Sequence, residues 1–412
     1  MEKKWINPVK FSDIMKAENI FEKSGVVYNC TLKYCNNLSR KFGANFYHAV
    51  ETTQQVKSFK IRGAYNAIAN LTEAQKKKGV ICASAGNHAQ GTALSATKMG
   101  IKSYIVMPSN APLSKINATK NFGGNVILAP QPSFDAAYAL SKKLAKEKGY
   151  IEIPPYDAIN TIAGQGTIAL EALRQIHNID TFVVPIGGGG LIAGIATCAK
   201  AINPNIRIIG VQAANFPAMK MSYEKNKIIS YATGTPTLAD GCAVKTPGTI
   251  TFDIISHLVD QIVTVTEDEI TKGIAILSYD GKLVAEGAGA MPTAAILANK
   301  IKFKKDENIV LLVSGGNIDV VKYNATLLRG LELLGRKIRI KINFKDANKV
   351  KTFCKLLTKH SSSAMAMTQE QFITPDTKPG EYYLSIISLS EQDMKNLKAD
   401  FTKNHITYTI IK

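Results

Sequence analysis

No stretch of this 412-residue sequence approaches the roughly 18 consecutive apolar residues that a membrane-spanning helix requires. The first residues, Met1-Glu2-Lys3-Lys4-Trp5-Ile6-Asn7-Pro8, lack the apolar core of a secretion signal. A cytoplasmic protein with no membrane partner is expected. Cysteine is scarce: the six, at positions 30, 35, 82, 198, 242 and 354, form no Cys-x-x-Cys pair and sit mainly in apolar or small-residue runs. That is the setting of reduced core thiols in a reducing compartment, and no metal site is expected. Acidic residues are also short, 32 Asp and Glu against 51 Lys and Arg, for a formal charge of +19. The lysines are spread among scattered carboxylates along the whole chain, the pattern of solvated surface, so no nucleic-acid partner is expected. Low-complexity tracts and convincing repeats are absent too. The remaining composition, 45% hydrophobic and 20% charged, is that of a globular enzyme, and the length supports two or three domains.

Short β-branched runs alternate with helical patterns: Val80 to Ala83, Ser103 to Met107, Val126 to Ala129, Phe182 to Ile186, Ile206 to Val211 and Ile309 to Val313. Continuous apolar strands of this kind belong to a parallel sheet covered by helices on both faces, an α/β fold. Ligands bind at the carboxyl ends of such strands, so the chemistry is expected on the turns that follow them. The pattern changes after Leu334-Gly335. A strand (337–343), a helix (347–360), an ambiguous stretch to Gly380, a strand (382–389), a helix (391–404) and a final strand (407–411) read as a small α+β module. The expected division is 1–330 and 336–412.

Four turns carry candidate chemistry. In Ser58-Phe59-Lys60-Ile61-Arg62-Gly63-Ala64 one lysine stands between an aromatic and a small-residue turn. Arg62 nearby and screening by Phe59 are expected to ease loss of its proton, and a neutral amine forms an imine with an aldehyde. Gly187-Gly188-Gly189-Gly190-Leu191 follows a strand and opens a helix. Residues without Cβ let backbone N–H groups converge on a phosphate, aided by the helix dipole. A Walker loop is excluded because Leu191-Ile192 stands where Lys-Ser/Thr is required, and a dinucleotide site because the next strand ends in Gln212 rather than a carboxylate. A simple phosphate ester is favoured; a glycine turn needed only for packing is the other reading. Ser84 to Gly91 places hydroxyl, amide and imidazole groups at a helix start, suited to a carboxylate or to an ordinary cap. Ser314-Gly315-Gly316-Asn317 ends a strand with a hydroxyl that could meet a ring nitrogen or simply serve a turn.

An imine-forming lysine, a phosphate cradle, an amide and a hydroxyl together describe a site for pyridoxal 5'-phosphate. With Ala163-Gly164-Gln165-Gly166-Thr167, Asp240-Gly241-x-Ala243-Val244 and Glu286-x-Ala288-Gly289-Ala290, these motifs resemble, in order and over residues 20–330, the serine/threonine dehydratase family. The resemblance implies a tryptophan-synthase-β-like, fold-type II enzyme of two parallel-sheet domains, the smaller formed mainly by residues 50–147. It implies a homo-dimer or homo-tetramer acting on a small amino acid. The activity implied is α,β-elimination of threonine to 2-oxobutanoate and ammonia, the first step of isoleucine synthesis. By the same resemblance Lys60 and Ser314 are catalytic. Phe59, Lys60, Asn87, Gly187, Gly188, Gly189, Gly190, Leu191 and Ser314 hold the cofactor, and Ser84, Asn87, His88, Gln165 and Glu286 face the substrate.

Three positions depart from the family pattern: Ala49, where a lysine is usual, Cys30 in place of threonine, and Gln212 where a glutamate often ends the strand. They bear on substrate preference. Residues 336–412 resemble the ACT-like regulatory module of short biosynthetic dehydratases in length and element order, which implies isoleucine or valine as effector. The first turn, Lys345-Asp346-Ala347-Asn348-Lys349, lacks the glycine that lets an amino acid approach the backbone. The alternatives are a serine-preferring dehydratase or serine racemase with the same site and, from another class, a non-catalytic regulator that binds amino acids.

Overall fold

The computed structural model describes residues 5–344, 347–360, 364–369 and 381–411, which fall into two compact units, 1–320 and 321–412. In the first unit two sheets are interleaved along the chain. β1 (Thr31–Tyr34) and β2 (Asn45–Val50) begin the larger one. The chain then builds a smaller sheet from β3 (Val80–Ala83), β4 (Ser103–Met107), β5 (Asn125–Leu128) and β6 (Ile151–Glu152). It returns with β7 (Thr181–Pro185), β8 (Arg207–Ala213), β9 (Gln261–Val265) and β10 (Asn308–Val313). The larger sheet has the order β1-β2-β10-β7-β8-β9, antiparallel at β1–β2 and parallel elsewhere. The smaller sheet, β5-β4-β3-β6, is parallel throughout.

The central strands follow from their composition. Every residue of β3 and β7 is buried, as two-sided coverage by helices demands. The main core joins Phe182, Val184, Val310 and Leu312 of the larger sheet to Ile162 and Ile168 of helix Ile159–Gln175 and to Ile192 and Ile195 of helix Gly190–Ile202. The six expected strands are present within two residues at each end. β1, β2, β6 and β9 are additional. Among the described residues no helix is long and apolar enough to cross a membrane.

In the second unit, helix Val320–Leu333 leads into β11 (Lys337–Asn343), helix Ala347–Lys359, β12 (Ala364–Gln369), β13 (Glu381–Ser388), helix Glu391–Lys403 and β14 (Tyr408–Ile410). The antiparallel order β12-β13-β11-β14 is that of a ferredoxin-like module. Alternation along β11 sends Ile338, Ile340 and Ile342 into a core with Phe353, Leu356, Leu397 and Phe401 of the two following helices. The two units divide at 320, and the sheet of the second begins at Lys337, just after the change of pattern at Gly335. Helix Val320–Leu333 buries only Thr326 and Gly330, and its end is tied to the second unit by Arg336 N–H to Leu331 O (2.8 Å) and a Lys337–Glu332 ion pair. β12 lies in the stretch whose pattern was ambiguous; the rest of that stretch, and Lys345 and Asp346, lie outside the described residues.

One buried cluster ties the helix Lys60–Ala69 to the rest of the first unit. The Arg62 side chain is fully buried and donates from Nε and Nη2 to Glu51, just after β2, both at 2.8 Å. It also donates to Glu171 Oε1 at 2.6 Å and Oε2 at 2.9 Å, to Thr167 Oγ1 at 2.9 Å and to the Tyr28 carbonyl at 3.0 Å. The helix carrying Glu171 packs so closely that a Cβ on Gly164 would come within 2.6 Å of the Arg62 carbonyl. Only a guanidinium has enough donors in a fixed fork to satisfy this set. Arg62→Met is expected to leave two buried carboxylates without their cation and to destabilise the first unit by about 3–5 kcal/mol, measured by denaturant unfolding; an unchanged midpoint would refute the anchor.

Candidate active site

Lys60 is the first residue of its helix, so its side chain projects from the N-terminal end toward the carboxyl edges of the neighbouring strands. Its Nζ donates to the Pro155 carbonyl at 2.8 Å and lies 5.2 Å from the centroid of the Phe59 ring. Burial, opposed by Cys242 and Glu286, lowers its pKa to about 8. Phe59 therefore screens Lys60 as expected, but Arg62 is not the cause of the shift. Two helical positions lie about 200° apart around the axis, and the Arg62 charge is spent on Glu51 and Glu171.

The glycine run Gly187 to Gly190 links β7 to its helix. Gly189 has φ +98°, a region that favours glycine. A Cβ on Gly188 would come within 2.4 Å of the Tyr156 ring. Tyr156 follows Pro155, so adjacent residues touch the lysine and the glycine loop. Leu191 is buried in the core behind the loop.

The third group gathers between helix Asn87–Lys98 and the end of β10. Asn87 Nδ2 donates to Glu286 Oε1 at 2.7 Å, and Asn317 Nδ2 donates to Asn87 Oδ1 at 2.7 Å and to the Val56 carbonyl at 2.8 Å. This fixes the orientation of the Asn87 amide. Glu286 is raised to about 8 by burial and then by Asp240, against the Asn87 bond. Its carboxyl therefore holds a proton more readily than an ordinary carboxylate. Ser314 is buried, and its carbonyl accepts from the Phe59 N–H at 3.0 Å, which brings the hydroxyl-bearing turn beside Lys60. Nearby, the partly exposed Lys115 and Asp240 pair at 3.0 Å.

The remaining expected residues divide. Ser84 Oγ accepts from Gly86 N–H at 3.2 Å, shaping its own turn. His88 Nε2 meets the Ile153 carbonyl at 2.8 Å, and burial, then Lys60, lowers its pKa to about 3. The ring is neutral. Gln165 turns to the backbone, its Oε1 accepting from Gly63 N–H at 3.2 Å. Of the three departures, Ala49 is wholly buried on β2, Cys30 is buried with its N–H on Glu171, and Gln212 Oε1 accepts from Lys220 N–H at 2.8 Å. Asn317, Tyr156, Asp157 and Thr251 were missed as site residues. The run Pro154-Pro155-Tyr156-Asp157 after a two-residue strand was the available signal for two of them.

The residues present suit pyridoxal phosphate. Ser58 Oγ and His88 Nδ1 are buried beside Lys60 without a hydrogen-bond partner, the glycine loop has backbone but no side chains where a phosphate would sit, and the lysine loses its proton near pH 8. Residues 24–315 match the family model for pyridoxal-phosphate dependent enzymes. The chain is 44% identical over 332 residues to the L-threonine ammonia-lyase of Thermotoga maritima, covering 81% of each. The processed form of threonine deaminase isoform 2 from Solanum lycopersicum superposes with a TM-score of 0.71 at 38% identity, over 79% of this chain and 94% of that one. Maize serine racemase does so with a TM-score of 0.73 at 34% identity, over 79% and 98%. Geometry, motifs and relatives agree, and the chain belongs to the pyridoxal-phosphate-dependent enzymes of the serine/threonine dehydratase family, with their tryptophan-synthase-β-like, fold-type II architecture.

Proposed function

We propose that this chain is a threonine ammonia-lyase that converts L-threonine to 2-oxobutanoate and ammonia by α,β-elimination. The observation that carries the reading is the meeting of Lys60 with the glycine loop through two adjacent residues, Pro155 on Nζ and Tyr156 on Gly188. The names of the relatives support the choice of substrate. A homo-dimer or homo-tetramer, a cytoplasmic location and an isoleucine- or valine-responsive C-terminal unit belong to the same proposal.

Bound pyridoxal phosphate supplies an aldehyde that condenses with amines and a conjugated ring that withdraws charge from a substrate Cα. The chain supplies position and proton transfer. Lys60, readily neutral because its pKa is about 8, would hold the aldehyde, and its Nζ would take the proton from a substrate Cα. Backbone N–H groups of Gly187 to Leu191 bind the phosphate at a helix start. Phe59 covers the lysine, and Asn87, oriented by Asn317, offers Nδ2 to the phenolic oxygen. Ser314 would offer the ring nitrogen a neutral hydroxyl, which would not force its protonation as a carboxylate would and so would favour elimination over transamination. Asn87 and the unpartnered Nδ1 of His88 would face the substrate carboxylate, with Ser84 and Gln165 holding the turn and the helix contact behind them, and Glu286 would line the site with a carboxyl of pKa about 8.

Replacing Lys60 with alanine is expected to cut keto-acid formation by about 10³-fold or more and to abolish borohydride-stable labelling, with the melting temperature of the apoprotein retained. The rate at which apoprotein captures the cofactor should rise with pH through about 8, as Lys60 loses its proton, and level off above. Because Glu286 holds the Lys60 pKa up, Glu286→Gln should keep this rise and move it to lower pH; its disappearance in stopped-flow absorbance would assign the titration to Glu286. Turnover of L-threonine, L-serine and D-serine, with racemisation scored beside ammonia, tests the substrate. Preference for serine in ammonia release would overturn the proposal in favour of a serine dehydratase, and net racemisation in favour of the activity named for the maize neighbour. The same assay with saturating isoleucine and valine, read with oligomeric state, tests the effector.

A further inference from the structure

A loop of four glycines has no side chains with which to fix its own shape, so its conformation must be imposed by its neighbours. Tyr156 imposes it on one side: Cβ atoms on Gly188 or Gly190 would come within 2.4 Å of its ring and 2.9 Å of its Cα. On the other side stands Thr251. Its side chain is fully buried, and its hydroxyl donates to the Gly188 carbonyl at 2.6 Å, with the Gly248 carbonyl at 3.2 Å. Across a planar trans peptide the carbonyl and the following N–H point in opposite directions. A Gly188 carbonyl held by Thr251 therefore aims the Gly189 N–H away from Thr251.

Thr251 is itself held by an unusual cap. Helix Thr249–Leu258 begins after Gly248, which has no side chain to satisfy the free N–H groups of the first turn. Asp157 supplies the missing acceptor from a distant part of the chain. Its Oδ2 accepts from Thr249 N–H at 2.9 Å, and its Oδ1 from Ile250 at 2.9 Å and Thr251 at 3.1 Å. The carboxylate also sits at the positive end of the helix dipole. Gly248 is glycine for this reason, because a Cβ there would fall 2.4 Å from the Asp157 carboxyl carbon.

The segment that carries Asp157 is the one that meets Lys60. In five consecutive residues, Ile153 gives its carbonyl to His88, Pro154 to Thr161 and Pro155 to Lys60, Tyr156 packs on the glycine loop, and Asp157 caps the helix that holds Gly188. We infer that Thr251 and Asp157 are positioning residues of the phosphate cradle: Asp157 sets the helix, and the Thr251 hydroxyl sets the Gly188 peptide. Residues 153–157 thereby fix the distance between cradle and lysine. The inference rests on the reading of Gly187 to Gly190 as the cradle.

Because Thr251 acts through the phosphate-binding backbone, its loss must weaken pyridoxal phosphate more than pyridoxal, which has the same aldehyde and ring but no phosphate. The test is titration of the full-length apoprotein with each compound, followed by absorbance of the lysine-bound chromophore. Thr251→Val should weaken pyridoxal phosphate about tenfold and pyridoxal by less than about twofold, and Thr251→Ser should restore binding to near the wild-type value. Asp157→Asn, which keeps one accepting oxygen, should show a smaller loss with the same selectivity, and it carries the test if Thr251→Val fails to fold. Equal weakening of both compounds, unchanged binding in both variants, or failure of Thr251→Ser to restore it would overturn the inference. Wild-type protein that binds pyridoxal as tightly as its phosphate would instead overturn the cradle reading beneath it.

Discussion

The site depends on one buried ionic cluster. Arg62 sits two residues beyond the lysine and is held by Glu51 and Glu171, so the end of β2, the Lys60 helix and the helix Ile159–Gln175 are fixed to one another. Burying three charges is costly, and the cluster persists because each guanidinium donor has an acceptor and Thr167, Tyr28 and the Cys30 N–H complete the set. Lys60 is left the opposite way, desolvated and opposed only weakly by other charges, which is why its pKa falls while that of Arg62 rises. One residue holds the helix in place, and the other is left with an amine that loses its proton easily.

Around that anchor the site is assembled from backbone and amides more than from charged groups. The cradle is peptide, the Asn317–Asn87–Glu286 chain is two amides and a carboxyl of raised pKa, and His88 is neutral. A neutral lining keeps the lysine from being drawn into a permanent ion pair.

The parts of this arrangement legible in the sequence were those written locally. Apolar strands followed by glycine or polar turns located Ser84 to Gly91, Gly187 to Gly190 and Ser314 to Asn317 at strand ends, because a fully covered parallel strand needs no alternation, and Lys60 stood out by its place between an aromatic and a small-residue turn. The family and fold expected from those motifs agree with the relatives found. Direction in space was not legible. The nearness of Arg62 to Lys60 along the chain suggested a shared environment, but helical rotation sends the two side chains apart. Asp157 and Thr251 were missed because a cap borrowed from a residue far away in sequence leaves no pattern at Gly248. β6 was missed because two residues carry no period.

The interleaving of the two sheets sets an order of assembly. All strands of the smaller sheet lie between Val80 and Glu152, whereas β2 pairs with β10 in a register that joins Asn45 to Asn308. During synthesis the smaller sheet can close on its own, while the hairpin of β1 and β2 waits with an open edge until the last strand has left the ribosome. Pairing over so long a separation is slow and leaves a bare strand edge available to other chains. The nascent chain is therefore most vulnerable to aggregation at its first hairpin, whose second strand ends beside the Arg62 anchor.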